Sequence, residues 1–215
     1  LDNEMLFLQA QIRPHFLYNA FNTISAIALT DGVKASELID DLAIYLRGCF
    51  GNDVNRGLVT IDTELGIVNS YVHIEQARFG RRLQFKLVQK TGRSFSLPPL
   101  TIQPLVENAI RHATLDSYQE IQIQVTITEK NEYIHIEIQD NGVGIEPVKI
   151  ANLLNEEQDG YQGGIGLRLK LHYGIPLDIQ TSPGAGTTIL IRIPLNSKFQ
   201  EDELEYGYSS NQKHP

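Results

Sequence analysis

Cysteine is almost missing from this sequence: Cys49 is the only one in 215 residues. That excludes an internal disulfide and a cysteine-ligated zinc site, and it suits a reducing compartment. No apolar run approaches the ~18 residues needed to cross a bilayer, and no charged-then-apolar leader is visible. The first residue is Leu1 rather than Met, so the chain is expected to be a fragment, with anything N-terminal to it, including a membrane span, lying outside. Basic stripes are lacking too. With 18 Lys and Arg against 26 Asp and Glu, the formal net charge is −8, which argues against a nucleic acid partner. What is present suffices for packed cores: 41% of residues are hydrophobic, and the length suggests two domains.

The patterning changes once along the chain. Residues 1–82 read as helical. A long stretch from Glu4 to Leu29 is broken at Asp31-Gly32, a second helix covers Ser36 to Phe50, and Thr60 or Asp62 can cap a third, Thr63 to Phe79, ended by Gly80. Residues 83–197 read differently. Leu83 to Leu87 alternates like a strand, and a short helix spans Leu100 to Ala113. Ile121, Ile123, Val125 and Ile127, then Ile134, Ile136 and Ile138, alternate with polar residues. A glycine-rich stretch from Asp140 to Gly166 leads into a short helix, about Leu167 to Tyr173. Two last strands follow, Leu177 to Thr181 and Thr188 to Ile193. The segment between Glu146 and Gly163 is expected to act as a lid, and residues 198–215 as a polar tail. The fold class expected is α+β: an N-terminal helical region, then an α/β sandwich with a mixed sheet.

Three constellations carry chemistry. On a helix from Arg13 to Leu29, the apolar residues Phe16, Leu17, Ala20, Phe21, Ile24, Ile27 and Ala28 share one arc. His15, Asn19 and Asn22 fall opposite, so His15 stands on the polar face. Pro14 before it removes a backbone donor and predicts a kink. A neutral imidazole, well populated near pH 7, is a suitable carrier of a phosphoryl group. Asn19 could bond that group or orient a water. Periodicity alone favours a simpler reading, a surface histidine on an amphipathic helix. In the second constellation, Asn108, Arg111 and His112 share one face of the helix ending at Ala113. An amide oxygen suits Mg²⁺ and a guanidinium suits phosphate; a plain amphipathic helix with a Glu107–Arg111 pair is the bland alternative. In the third, Asp140-Asn141-Gly142-Val143-Gly144 follows a strand directly. There a carboxylate can accept from an exocyclic amine, and the glycines permit close backbone approach, although such a string is often only a turn. Gly163-Gly164-Ile165-Gly166-Leu167 then opens a helix, a natural place for backbone contacts to phosphate.

The longer strings resemble one family. Leu8-Gln9-Ala10-Gln11-Ile12-Arg13-Pro14-His15-Phe16-Leu17-Tyr18-Asn19-Ala20-Phe21-Asn22-Thr23-Ile24 closely resembles the phospho-acceptor box of the LytS-type sensor histidine kinases, the PHFLFN group. Gln103-Pro104-Leu105-Val106-Glu107-Asn108-Ala109-Ile110-Arg111-His112 is similar to their N-box. The string from Asp140 and the string from Gly163 resemble their two glycine boxes, and Gly184-Ala185-Gly186-Thr187-Thr188 resembles their final glycine–threonine turn. The likeness runs from about Glu4 to Pro194, with the motifs in the family's order.

The resemblance implies a gyrase/Hsp90-like ATP-binding fold and ATP-dependent autophosphorylation of His15, followed by transfer to an aspartate of a response regulator. It implies that Asn108 holds Mg²⁺ through ATP, that Arg111 meets phosphate and that His112 lines the nucleotide. Asp140 would recognise the adenine amino group, with Gly142, Gly144, Gly164, Gly166, Leu167 and Thr187 forming the rest of the nucleotide site. A homodimer is implied, as is a position in the cytoplasmic portion of a bacterial inner-membrane protein. Two departures stand out. The segment from Gly166 to Gly174 is about one helical turn shorter than in the family and lacks the asparagine after Gly-Leu. Phe16 also stands where many histidine kinases place an acid beside the acceptor; Glu107, with Asn19 near the acceptor, is the remaining candidate for catalytic work. Two other readings stay open. One is an ATP hydrolase, against which stands Pro104, at the position where that superfamily typically needs a glutamate. The other is a nucleotide-binding interaction module with weak or no kinase activity.

Overall fold

A computed structural model describes residues 14–50, 58–114, 120–144 and 162–195. Three helices come first: α1 (Pro14–Ala28), α2 (Gly32–Phe50) and α3 (Ile61–Phe79). Asp31 explains why α2 begins before the expected Ser36, because its Oδ1 accepts the Lys34 N–H at 2.9 Å and caps the first turn. Thr60 caps α3 by accepting the Thr63 N–H at 3.3 Å. A two-stranded pairing, β1 (Val59–Thr60) with β3 (Ser96–Leu97), ties the start of α3 to the second half of the chain.

That second half holds β2 (Leu83–Gln89), α4 (Gln103–Ala113), β4 (Ile121–Lys130), β5 (Tyr133–Asp140), α5 (Gln162–Tyr173), β6 (Asp178–Thr181) and β7 (Thr187–Pro194). The five-stranded sheet runs β2-β4-β5-β7-β6. Only β2 and β4 are parallel; the other pairs are antiparallel, so the sheet is mixed as expected. Ile121, Ile123, Val125 and Ile127 of β4 and Ile134, Ile136 and Ile138 of β5 are buried on one face, where α4 packs across β4 and β5.

Two further helices depart from expectation. The start of α4 is Gln103 rather than Leu100, because Leu100 has φ +54 and the N–H groups of Leu100, Thr101 and Ile102 are held by the carboxylate of Glu64. Helix α5 starts at Gln162 rather than Leu167 and takes the glycines into its first turns, where N–H groups have no intrahelical partner. Segment 145–161, where most of the expected lid falls, and the tail 198–215 lie outside the described residues, as do the residues before Pro14.

One hydrophobic cluster runs from Phe16 to Ile193. Its helical end is an aromatic triangle: Phe16 lies 4.8 Å from Tyr45 and 4.9 Å from Tyr71 between ring centroids, and Tyr45 lies 5.8 Å from Tyr71. Cys49 is buried beside it, and burial pushes its thiol up to about 12. Of the apolar arc on α1, Phe16, Ala20 and Ile24 are buried, whereas Phe21 is 56% exposed and Tyr18 next to the arc 67%. Among the described residues, no helix is long and apolar enough to cross a membrane.

Candidate functional site: two cavities sharing one helix

Helix α4 forms a wall of two cavities. On one side is a cleft walled by Leu105, Ile138, Leu177 and Ile189. Four polar side chains enter it: Asn108 and His112 from α4, Asp140 from the end of β5, and Thr187 from the start of β7. Asp140 and Thr187 are register partners on adjacent strands. Burial pushes the Asp140 carboxyl above the usual aspartate range, while the backbone N–H groups of Gly142 and Thr187 pull it back. The Gly142 bond to Oδ1 is 2.8 Å long.

The glycines around Asp140 make close approaches to the protein's own backbone. At Gly186, φ is +79 and a Cβ would stand 2.0 Å from the Asp140 carbonyl oxygen. At Gly144, φ is +74 and a Cβ would stand 2.2 Å from the Ser182 carbonyl oxygen. The Gly184 N–H donates to the Val143 carbonyl at 2.8 Å. The strand-end turn after Asp140 and the turn between β6 and β7 are thus fitted into each other.

On its other side α4 faces a cavity of about 510 Å³ lined by His15, Glu75, Arg78, Glu107 and Arg111, with Phe16, Tyr71 and Phe79 among its apolar walls. His15 is exposed, and the Asn19 amide nitrogen lies 3.2 Å from its Nδ1 and 3.3 Å from its Nε2. Glu107 is only 8% exposed and accepts from Gln103 Nε2 at 3.0 Å. Arg111 Nη2 donates to Asn108 Oδ1 at 3.0 Å. On α3, Glu75 is 3% exposed and accepts from Arg78 Nη1 with both oxygens at 3.2 Å. Burial pushes Glu75 up, Arg78 opposes that shift, and Glu107 adds to it.

Asn108, His112, Asp140 and Thr187 therefore meet in one cleft, and His15, Glu107 and Arg111 meet in the other cavity. Arg111 does not line the cleft with its neighbours; it reaches across from the far side through Asn108. Gly164, Gly166 and Leu167 lie in α5. A Cβ at Gly166 would sit 3.7 Å from Leu177 of the cleft wall, and the side chain of Leu167 lies outside the described residues. Reading the sequence missed Glu64, Glu75 and Arg78. A signal for the two carboxylates existed: Glu64 and Glu75 fall on the buried stripe of α3 with Ile61, Val68, Tyr71 and Val72, where an acid is costly unless paired or hydrogen-bonded.

Comparison with known proteins gives the family. The histidine kinase family profile matches residues 3–83, and the profile of histidine kinase-, DNA gyrase B- and HSP90-like ATPases matches residues 99–197. The uncharacterised protein YwpD of Bacillus subtilis (strain 168) is 42% identical over 196 residues, covering 89% of this chain and 70% of that protein. Sensor protein LytS of Bacillus anthracis is 39% identical, covering 94% of this chain and 35% of its own length. Sensor histidine kinase/phosphatase LytS of Staphylococcus aureus (strain MRSA252) is 36% identical, covering 93% and 36%. The chain thus spans about a third of the LytS proteins it matches. The two profiles together cover most of the chain, and relatives of 36–42% identity align along nearly all of it, so this protein is a member of the histidine kinase family.

Proposed function

We propose that the chain binds ATP in the cleft between α4, β5 and β7, phosphorylates His15, and passes the phosphoryl group to an aspartate of a response regulator receiver domain. The observation that carries this is the shared wall. Asn108 and His112 face the cleft, while Glu107 and Arg111, on the same helix, face the cavity that His15 lines. Asp140 accepts a hydrogen bond from the adenine amine, and Arg111 donates to phosphate oxygens at the border of the two cavities. In the transfer, an imidazole nitrogen of His15 forms the N–P bond to the γ-phosphorus. The bond from that phosphorus to the bridging oxygen breaks, and its electron pair leaves on ADP. The proton lost from the imidazole goes to Glu107, and Asn19 orients the ring.

Mg²⁺ fits this site as a companion of the nucleotide. Among the described residues, no group of three or more His, Cys, Asp or Glu side chains is gathered for a metal, and Asn108, which lines the cleft, carries a hard amide oxygen that accepts from Arg111 in the structure. A cation that prefers a few protein oxygens together with substrate phosphates suits such a donor set. When bound, it would neutralise phosphate charge. We further infer a boundary near residues 82 and 83 between a helical dimerisation region and an ATP-binding domain ending near residue 197. The helices would pair with a second copy, and the whole would lie in the cytoplasmic part of a bacterial membrane protein.

The test is phosphate incorporation from γ-labelled ATP. Wild-type protein should gain acid-labile, base-stable label that needs Mg²⁺. His15→Gln should gain none while still binding ATP, because the cleft residues are separate from α1. Label at the wild-type rate in His15→Gln would move the acceptor elsewhere. ATP binding without any label in the wild type would leave the nucleotide-binding module as the reading.

A further inference from the structure

A buried carboxylate stands on the wall of the acceptor cavity with no assigned task. Glu75 is 3% exposed, and removing such a group from water is costly unless it is paired. Its partner Arg78 lies one turn further along α3, and both oxygens of Glu75 accept from the same nitrogen, Nη1, at 3.2 Å. The guanidinium carbon also lies 4.3 Å from the centroid of the Phe79 ring. Arg78 is therefore held at two points, and among the described residues its Nε and Nη2 donors have no bonded partner. Its side chain is 32% exposed, and it lines the same cavity as His15. A pair that served only to neutralise Glu75 would need neither the ring contact nor a position on this wall.

We propose that Arg78 is a phosphoryl-binding residue: the guanidinium, held by Glu75 and Phe79, takes oxygens of the phosphoryl group as it moves onto His15 and while it remains there. The inference rests on the reading of His15 as the acceptor. Phosphoryl transfer spreads charge over three equatorial oxygens and leaves the protein mainly to position and neutralise them. A planar fork of N–H donors suits that work, and a guanidinium already fixed in place loses little freedom on binding. Arg111, the other arginine of the cavity, already donates to Asn108 of the neighbouring cleft. Arg78 belongs to α3, which packs against the acceptor helix, so it stays with phospho-His15 after ADP leaves. It contributes hydrogen bonds only; the N–P bond, the departing electron pair and the proton go as described above.

The experiment uses the full chain with Arg78→Ala, Arg78→Lys and Glu75→Gln. Labelling from Mg²⁺ and γ-labelled ATP is followed at saturating nucleotide, ATP affinity is read by calorimetry, and folding is checked by circular dichroism. Labelling from phosphoramidate, a donor with no nucleotide, is followed in parallel. Arg78→Ala should slow labelling from ATP by about 10²–10³-fold, the cost of removing one donor to a developing oxyanion. It should slow labelling from phosphoramidate as well and leave ATP affinity within about twofold. Arg78→Lys should recover only part of the rate, because a point charge cannot offer the fork. Glu75→Gln should fall between wild type and Arg78→Ala. A folded Arg78→Ala protein labelled at the wild-type rate would overturn the proposal, as would a loss confined to ATP affinity with the maximal rate unchanged. Should Arg78→Ala fail to fold, Arg78→Lys decides, and a wild-type rate there overturns it. Absence of label in the wild type with both donors would sink the acceptor reading itself, and this inference with it.

Discussion

Arg111 donates from Nη2 to Oδ1 of Asn108 at 3.0 Å, and the two side chains belong to different cavities. Arg111 lines the chamber of His15, and Asn108 lines the cleft with Asp140. One hydrogen bond across a single helix therefore joins the chamber of His15 to the cleft of Asp140.

Asp140→Asn should weaken ATP binding by about 1.5–3 kcal/mol, the range for a hydrogen bond to a charged group. In the proposed site the carboxylate would accept from the adenine amine, whereas the amide replaces one acceptor with a donor. The bond needs the ionised form, and burial holds the Asp140 pKa above the usual range. As pH falls, affinity should therefore begin to drop at a higher pH than an ordinary aspartate would give, and Asp140→Asn should remove that step. Calorimetry across pH checks both; unchanged affinity in the variant would put the adenine elsewhere.

Glu64→Ala should destabilise the protein by at least ~3 kcal/mol. The Glu64 side chain is wholly buried and its oxygens accept the N–H groups of Leu100, Thr101 and Ile102. Each buried donor left without a partner costs roughly 1–3 kcal/mol. Glu64→Gln keeps one acceptor oxygen and should lose less. Urea unfolding gives the values, and a loss under about 1 kcal/mol in Glu64→Ala would contradict this role.

Gly184→Ala and Gly186→Ala should differ sharply although both residues have positive φ, +77 and +79. At Gly184 a Cβ meets nothing within 4 Å, so only the backbone conformation is penalised, by about 1–2 kcal/mol. At Gly186 the Cβ would also strike the Asp140 carbonyl, which should add to that loss and disturb the cleft around Asp140. Equal melting temperatures for the two variants would count against the interlocked turns.

Phe21→Glu should convert a dimer to a monomer. Phe21 and Tyr18 on α1 are 56% and 67% exposed, and Ile39 and Ile44 on α2 add to the apolar surface that the three helices leave uncovered. A four-helix arrangement from two copies would bury it. Light scattering at tens of micromolar should give a dimer for the wild type; a strictly monomeric wild type would remove the basis for this prediction.

Much of the architecture could be read along the chain because its signals are local. Alternation at Ile121 to Ile127 and at Ile134 to Ile138 depends only on strand pleating, and it placed those residues on the buried face correctly. The arc opposite His15 depends only on helical pitch, and the imidazole is indeed exposed. The resemblance of four short strings then named the residues that the fold gathers: Asn108, His112, Asp140 and Thr187 in one cleft, His15, Glu107 and Arg111 around the other cavity. Pairings made across the fold were not legible in the same way. Glu64 finds its N–H donors 36 to 38 residues away, and Gly186 is a glycine because of a carbonyl on another strand. Arg78 is an ordinary i, i+3 partner of Glu75 until α1 and α4 close a cavity around it. Sequence by itself determined most of the elements, the buried faces of β4 and β5, and the family. Tertiary structure decided which side of α4 each group faces, because that depends on two elements meeting, and hydrogen bonding and burial between distant segments leave no periodic trace in either one.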